Sequence, residues 1–320
     1  MANTRESLWQ ALCAAGGQFC SGQALADTLG ISRAAVHKAA LSLQKEGWHI
    51  EAVRRRGYRL TDAGDVLRAE AAGALPGPVY VYDALESTNR TAKQLALDPE
   101  KAPHGTLILA GRQTAGRGRL GRSFVSPAGG VYMTLLLRPA LSAVDALAVT
   151  GSAAVAVCRA VRRLCGRELA IKWVNDLFWH DKKVCGILTE ASTDLESGRV
   201  EWIAVGIGLN LTTAPAELGP ELADIAGSLY PEGPAPVGRA QLAGEIARTL
   251  LEMCPAFDYL AEYRARCFVP GHWVTVRGDG APYAARALAI DDQGRLVVET
   301  AAGRQLALQH GEVSVRPALL

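Results

Sequence analysis

A chain of 320 residues that is 49% hydrophobic and 21% charged has an ordinary globular composition, with room for two or three domains and at least one sizeable core. Its formal net charge of +2 excludes wholesale coating by nucleic acid, so any such contact must be local. Seven scattered cysteines without a Cys-x-x-Cys pair exclude a disulfide framework or a zinc site, and no apolar run approaches the ~20 residues that span a bilayer, which predicts a cytoplasmic chain with no membrane partner.

Leu8 and Leu12, with Ala11 and Ala15, recur at helical spacing over residues 4–15 before Gly16-Gly17 stops the pattern. Ser21 is placed to cap a second helix that carries Leu25 and Ala26 and closes at Gly30. Ser32 is placed to cap a third that runs through Val36, Ala39, Ala40 and Leu43 to Gly47. Joined by Leu29-Gly30-Ile31-Ser32, these two helices have the pattern of a helix-turn-helix. Ser32, Arg33, Ala34, His37 and Lys38 face outward at the start of the third helix, where recognition helices meet base edges. Trp48 to Val53 and Tyr58 to Leu60 read as two strands around Arg54-Arg55-Arg56-Gly57, a hairpin wing with a basic tip. Eight cations against five anions give residues 1–62 a charge of +3 centred on that tip, which suits DNA, although helix-turn-helix shapes also serve as protein-contact modules. Asp62 to Gly73 reads as a short connecting helix, and Leu75-Pro76-Gly77-Pro78 as a boundary.

From Val79 onward, short apolar strands alternate with helical stretches at Ser87 to Leu97 and Val144 to Leu164, giving an α/β or α+β core. Glu86-Ser87-Thr88-Asn89 sits where a strand passes into a helix, so its hydroxyls and amide either cap that helix, the favoured reading of these residues alone, or hold a polar ligand. Between Gly111 and Pro127, Arg112, Arg117, Arg119 and Arg122 alternate with Gly111, Gly116, Gly118 and Gly121. Glycines let backbone N–H groups approach a ligand while guanidinium forks hold phosphate or carboxylate, so this segment reads as an anion clamp. Its Gly-x-Gly-x-x-Gly pattern is not a dinucleotide site, because a strand from Val131 to Leu137 follows instead of a helix.

Lys172-Trp173-Val174-Asn175-Asp176 brings a cation, an amide and a carboxylate together between apolar residues, a set that a metal-phosphate group could use. Lys183 opens the next strand, where simple alternation puts it on one face with Cys185 and Ile187. It is either an exposed turn residue or a cation aimed at a substrate carboxylate. In Val205-Gly206-Ile207-Gly208-Leu209-Asn210 the glycines leave space beside the backbone for a flat ligand. After Pro270-Gly271, short strands at His272 to Val276, Tyr283 to Ile290, Leu296 to Thr300, Gln305 to Leu308 and Val313 to Arg316 predict a small β-barrel.

In this order, Glu-Ser-Thr-Asn at 86–89, the glycine-arginine run, Lys-Trp-x-Asn-Asp at 172–176, Lys-x-x-Gly-Ile-Leu at 183–188 and Gly-Ile-Gly-Leu-Asn at 206–210 resemble the biotin protein ligases. With the N-terminal module, the chain is similar along its length to those that also repress the biotin operon. It departs from them at Val174, where proline is common, and at Phe124, where tryptophan is common. The resemblance implies an α+β multidomain fold. A winged helix-turn-helix would span 1–64, a class II aminoacyl-tRNA-synthetase-like α/β ligase domain with a mixed sheet 65–269, and an SH3-like barrel 270–320. It implies a biotin–[acetyl-CoA-carboxylase] ligase that uses Mg2+, biotin and ATP and makes biotinyl-5′-AMP as intermediate and corepressor. Its partners would be the biotin carboxyl carrier protein, operator DNA and a second copy in a ligand-promoted homodimer.

By the same resemblance Arg119 and Lys183 are catalytic. Ser87, Thr88, Asn89, Gln113, Arg117, Gly118, Arg119, Lys183, Gly186, Gly206 and Gly208 bind biotin. Arg119, Arg122, Phe124, Lys172, Asn175, Asp176, Asn210 and Arg316 bind the nucleotide, with Asp176 the Mg2+ ligand. Ser32, Arg33, Ala34, His37, Lys38, Arg54, Arg55 and Arg56 bind DNA. A lipoate or related acyl ligase, and a biotin-sensing repressor without ligase activity, are the competing readings.

Overall fold

The computed structural model describes residues 4–315 apart from 16, 46–47, 63–66, 139–145, 195, 197–198, 255, 278–280 and 310. Helices α1 (Thr4–Ala14), α2 (Gly22–Leu29) and α3 (Arg33–Lys45) close around Leu8, Leu12, Leu25, Val36, Leu43 and Trp48, a core of its own that meets the central one at Ala71. Ser21 caps α2 by accepting the Ala24 N–H at 3.0 Å, and Ser32 caps α3 by accepting the Ala35 N–H at 3.1 Å. Both caps stand where the sequence placed them.

The wing is an antiparallel pair, β1 (His49–Val53) and β2 (Gly57–Asp62). Ser32, Arg33, Ala34, His37 and Lys38 are exposed along α3, and Arg54, Arg55 and Arg56 are exposed at the wing tip. His37 Nδ1 lies 3.1 Å from the Tyr58 hydroxyl, which ties α3 to the wing. The Arg56 guanidinium stacks 4.1 Å from the centre of the Phe19 ring. The expected connecting helix over 62–73 is not what forms: residues 63–66 lie outside the described ones, and the described remainder holds only a single 3-10 turn at Glu70–Ala72. A tertiary contact closes that turn, because Arg248 Nη1 donates to the Ala72 carbonyl at 2.8 Å.

The central sheet contains β3 (Val79–Tyr82), β4 (Thr106–Ala110), β5 (Gly130–Leu137), β6 (Ala170–Lys172), β7 (Asp176–Trp179), β8 (Lys182–Thr193) and β9 (Val200–Asn210). Their order is β3-β4-β5-β9-β8-β7-β6, with β3 parallel to β4 and every other pair antiparallel, so the sheet is mixed. One face is buried by α5 (Ala146–Cys165) and α6 (Arg239–Met253), which set Val149, Val157 and Ile246 in one core with Met133, Leu135, Val205 and Ile207. On the other face α4 (Thr88–Ala96) covers Ile108, Leu136 and Ala204 with Ala92 and Ala96. Because side chains alternate along a strand, that second face continues through Thr134 and Gly206, beyond the start of α4.

The C-terminal strands β10 (Trp273–Arg277), β11 (Tyr283–Ile290), β12 (Leu296–Thr300), β13 (Gln305–Leu308) and β14 (Glu312–Ser314) form one antiparallel sheet in the order β13-β12-β11-β10-β14. Val274, Val276, Ala285 and Val298 belong to the same continuous core as the central sheet. α7 (Leu260–Arg266) joins the two, with Arg264 Nε donating to the Ile290 carbonyl at 2.9 Å, and Trp173 Nε1 donates to Gly294 O at 3.1 Å. Among the described residues, no helix is long and apolar enough to cross a membrane.

Tyr58 and Cys20 exchange backbone hydrogen bonds of 2.8 and 2.9 Å, and this seam holds the wing to the helices. Gly57 makes the seam possible: its φ is +99°, and a Cβ there would stand 2.0 Å from the Cys20 carbonyl oxygen. Gly57→Ala is therefore expected to destabilise the N-terminal module by about 2 kcal/mol or more, read as a lowered unfolding midpoint for Trp9 and Trp48 fluorescence. An unchanged midpoint would show that the seam is not needed.

Candidate active site

The glycine-arginine run connects β4 to β5 as an ordered hairpin. Gln113 N donates to Ser126 O at 2.9 Å, Phe124 N to Gly116 O at 2.9 Å, and Gly118 N to Arg122 O at 2.7 Å. The tip turns through Leu120 and Gly121, both in the left-handed region, and leaves Leu120 76% exposed. The hairpin forms one wall of a cleft on the α4 face of the sheet.

The floor is a strip of glycine backbone, and the space that these glycines were expected to leave for a flat ligand is taken by the chain's own Phe124 and Asn89. Gly186 on β8 pairs directly with Gly208 on β9, and Leu188 pairs with Gly206. A Cβ on Gly208 would stand 2.5 Å from the Phe124 ring, and one on Gly186 would stand 3.2 Å from it, so this aromatic side chain covers both glycines. Gly206 makes room for a different neighbour: a Cβ there would come within 2.1 Å of Asn89 Oδ1.

At one end of the cleft, the start of α4 presents Ser87, Thr88 and Asn89, each 4% exposed. Ser87 occupies the cap position, yet its hydroxyl makes no capping bond and lines the cleft instead, which corrects the capping reading of this motif. Thr88 N donates to Gln113 Oε1 at 2.8 Å, and Gln113 Nε2 donates to Ser126 Oγ at 2.9 Å, joining α4 to the hairpin. The other end is charged. Lys183 Nζ stands 2.6 Å from Asp176 Oδ1. Arg119 Nη1 donates to Asn175 Oδ1 at 3.2 Å, while Asn175 Nδ2 donates to Ile187 O at 2.7 Å.

Simple alternation would group Lys183 with Cys185, but Val184 is an additional residue in the β7–β8 ladder, where Phe178 pairs with Lys183 and Leu177 with Cys185. This bulge turns Lys183 into the cleft beside Gly186 and sends Cys185 into the core. Complete burial pushes the Cys185 thiol well above its ordinary pKa, so it is no nucleophile despite its charged neighbour.

The cleft is lined by Ser87, Thr88, Asn89, Gln113, Arg117, Gly118, Arg119, Arg122, Phe124, Asn175, Asp176, Lys183, Gly186, Gly206 and Gly208, each singled out from the sequence. Lys172 and Asn210 are not among the lining residues. Lys172 pairs in register with Asp176 across the β6–β7 turn. Asn210, 3% exposed, donates from Nδ2 to Gly227 O at 3.0 Å and so secures the segment after β9. Arg316 lies outside the described residues. Leu120, Ser123, Ile187, Leu188, Ile207 and Gly311 also line the cleft and were assigned no role from the sequence, nor was the buried Thr134 behind it, for which a lone threonine in the apolar run of β5 was the one available signal.

The fit of Asn89 over Gly206 predicts the effect of filling that space. Gly206→Ala must expel Asn89 and break its bonds, which should lower stability by about 2–3 kcal/mol in urea unfolding. Native-like stability would mean that Asn89 has another position of equal energy.

Residues 81–210 match the biotin/lipoate A/B protein ligase family, residues 4–59 a helix-turn-helix domain, and residues 271–316 the biotin protein ligase C-terminal domain. The chain is 38% identical over 318 residues to the bifunctional ligase/repressor BirA of Bacillus subtilis, covering 93% of this chain and 95% of that one. It is 36% identical over 239 residues to the biotin–[acetyl-CoA-carboxylase] ligase of Paracoccus denitrificans, covering 69% and 94%. The biotin protein ligase of Aquifex aeolicus, solved in complex with biotin and ATP, superposes with a TM-score of 0.61 at 26% identity, covering 75% of this chain and 99% of that one. Helix-turn-helix module, central mixed-sheet domain and C-terminal sheet thus agree with the comparisons, and the chain belongs to the biotin protein ligases, within the bifunctional ligase/repressor group.

Proposed function

We propose that this chain forms biotinyl-5′-AMP from biotin and ATP, transfers the biotinyl group to a lysine of the biotin carboxyl carrier protein, and represses transcription in response to biotin. The observation that carries the reading is the shape of one cleft: a closed polar nest at one end, a glycine-floored trough, and paired cations at the other. Ser87, Thr88, Asn89, Gln113 and the Arg117–Gly118 backbone suit the ureido ring, and the bicycle and its tail would lie over Gly186 and Gly208 once the Phe124 ring that covers them swings aside, with Gly206 holding Asn89 at the nest. Phe124, Arg122 and Asn175 suit the adenylate, with Lys172, Asn210 and Arg316 outside the nest as further nucleotide contacts. Of the three units proposed, 1–64, 65–269 and 270–320, the first is supported by its separate core.

The chemistry requires a carboxylate oxygen to attack the α-phosphorus while pyrophosphate leaves, and both reactants are anionic. Arg119 and Lys183 offset that repulsion and hold the reacting atoms together as charge builds on the phosphoryl oxygens. The lysine nitrogen of the carrier then attacks the acyl carbon of the mixed anhydride, and AMP departs. Asp176, the lone carboxylate among the cleft-lining residues, fits Mg2+ held mainly by nucleotide phosphates and water. When bound, the ion supplies further charge neutralisation at the phosphates.

Incubation with Mg-ATP, an apo carrier domain, and biotin or lipoate, followed by mass spectrometry, tests the reaction. A biotin-sized gain on the carrier is expected, and a gain with lipoate alone would replace this reading. Lys183→Ala is expected to slow single-turnover adenylation by about 100-fold, and an unchanged rate would remove Lys183 from its role.

For repression, the adenylate would act as corepressor by ordering the hairpin and favouring a homodimer that presents two wings to a palindromic operator. Support comes from Leu120 and Ile225, 76% and 55% exposed, at the hairpin tip and beside Lys183. Biotinyl-5′-AMP should therefore tighten both dimerisation and operator binding; affinities indifferent to it, by sedimentation and by fluorescence anisotropy, would sink the corepressor role.

A further inference from the structure

Behind the polar end of the cleft, a hydrogen-bonded chain runs from the surface of α4 to the glycine-arginine hairpin. Lys93 Nζ meets Glu190 Oε1 at 2.6 Å, and Glu190 Oε2 accepts from Asn89 Nδ2 at 2.8 Å. Asn89 Oδ1 accepts from the Thr134 hydroxyl at 2.6 Å, and Thr134 Oγ1 lies 2.9 Å from Thr88 Oγ1. Thr88 N donates to Gln113 Oε1 at 2.8 Å, and Thr88 Oγ1 lies 3.2 Å from the same oxygen. Gln113 passes the chain to Ser126, whose hydroxyl donates to Phe124 O at 2.9 Å.

The chain has a direction, and Glu190 sets it. The other Asn89 amide proton goes to Leu188 O at 3.2 Å, so both protons of that amide face acceptors. Flipping the amide would put its oxygen against a carboxylate and a carbonyl, so the oxygen is confined to the Thr134 side. Thr134 has one hydroxyl proton, and the 2.6 Å contact commits it to Asn89. Its oxygen then has only lone pairs to offer Thr88, whose own proton is directed at Thr134 or Gln113, inside the chain. The Thr88 oxygen is left to accept from a ligand N–H. Burial would raise the Glu190 carboxyl, but hydrogen bonds from Lys93 and Asn89 and the charges of Lys93 and Arg117 outweigh it and hold the group below the usual range. The acceptor is therefore ionised at neutral pH.

We propose that Glu190 is a positioning residue for biotin: outside the cleft lining, its carboxylate fixes the Asn89 amide and, through Thr134, makes Thr88 an acceptor for a ureido N–H. The proposal rests on the reading of this cleft as the biotin site. An undirected chain would present a mixture of donor and acceptor patterns, of which only part matches the ureido group.

The test measures biotin binding to the full chain by calorimetry. Glu190→Gln, whose neutral amide can present either an oxygen or an N–H to Asn89, should weaken biotin about tenfold. In a Thr134→Val background, where the chain is already cut, the same substitution should change affinity less than twofold, so that the double-mutant cycle shows coupling. A merely structural role would give additive losses, and additivity overturns the proposal. Should Glu190→Gln not fold, Glu190→Asp is read instead; it keeps the charge but falls short of Asn89, and native affinity there overturns the proposal equally. Native protein that does not bind biotin overturns the assignment of the cleft and this proposal together. Native binding left intact in Glu190→Gln overturns the proposal alone.

Discussion

The site depends on a backbone-to-backbone register: Gly186 opposite Gly208, and Leu188 opposite Gly206, on the paired strands β8 and β9. Missing side chains at these places turn one face of a packed sheet into a trough. Asn89 sinks over Gly206 and Phe124 lies over Gly208 and Gly186, each inside the volume that a methyl group would claim. A slip of one residue would turn these glycines to the core face and bring the buried side chains of Ile207 and Ile187 into the cleft. The large apolar contacts of β5, β8 and β9 with α5 and α6 prevent that slip, so the buried core is what keeps the trough in place.

Around this floor, polarity is sorted by depth. Thr134 and Asn89 are buried and satisfied by one another, where an unpaired polar atom would be costly. Lys183, Asp176 and Arg119 stand nearer solvent, where ions retain part of their hydration and remain able to exchange partners with a substrate. The Lys183–Asp176 pair is partly exposed on both sides, 28% and 22%, which suits a contact that must open. A lysine held only by a deeply buried carboxylate would be harder to recruit.

The N-terminal module has its own core and its own logic. Its exposed cations stand on α3 and at the wing tip, while Phe19 and Tyr58 hold the wing by stacking on Arg56 and bonding His37. The C-terminal sheet, in contrast, is continuous with the ligase core and meets it through Trp173 and Arg264. One end of the chain thus has a core of its own that meets the rest at Ala71, and the other shares the packing of the cleft.

Much was legible without coordinates because the signals were local. Caps at Ser21 and Ser32, the glycine stop at Gly30, the period of α1 to α3 and the turn-punctuated strands after Pro270 all follow from interactions a few residues apart. Residue chemistry and motif order likewise singled out most of the cleft lining. The sequence alone, however, put Lys183 on the same face as Cys185, because a bulge at Val184 is decided by pairing with β7, a partner strand that periodicity does not see. It read Ser87 as a cap, since nothing local says that Gln113 and Thr134 will meet the start of α4. Glu190 and Asn89 are 101 residues apart, and their hydrogen bond exists only once α4 lies across the sheet. Local propensity and chemical type were thus determined by the sequence itself; which groups share a proton, and which backbone lies bare beneath them, were decided by long-range strand register and packing.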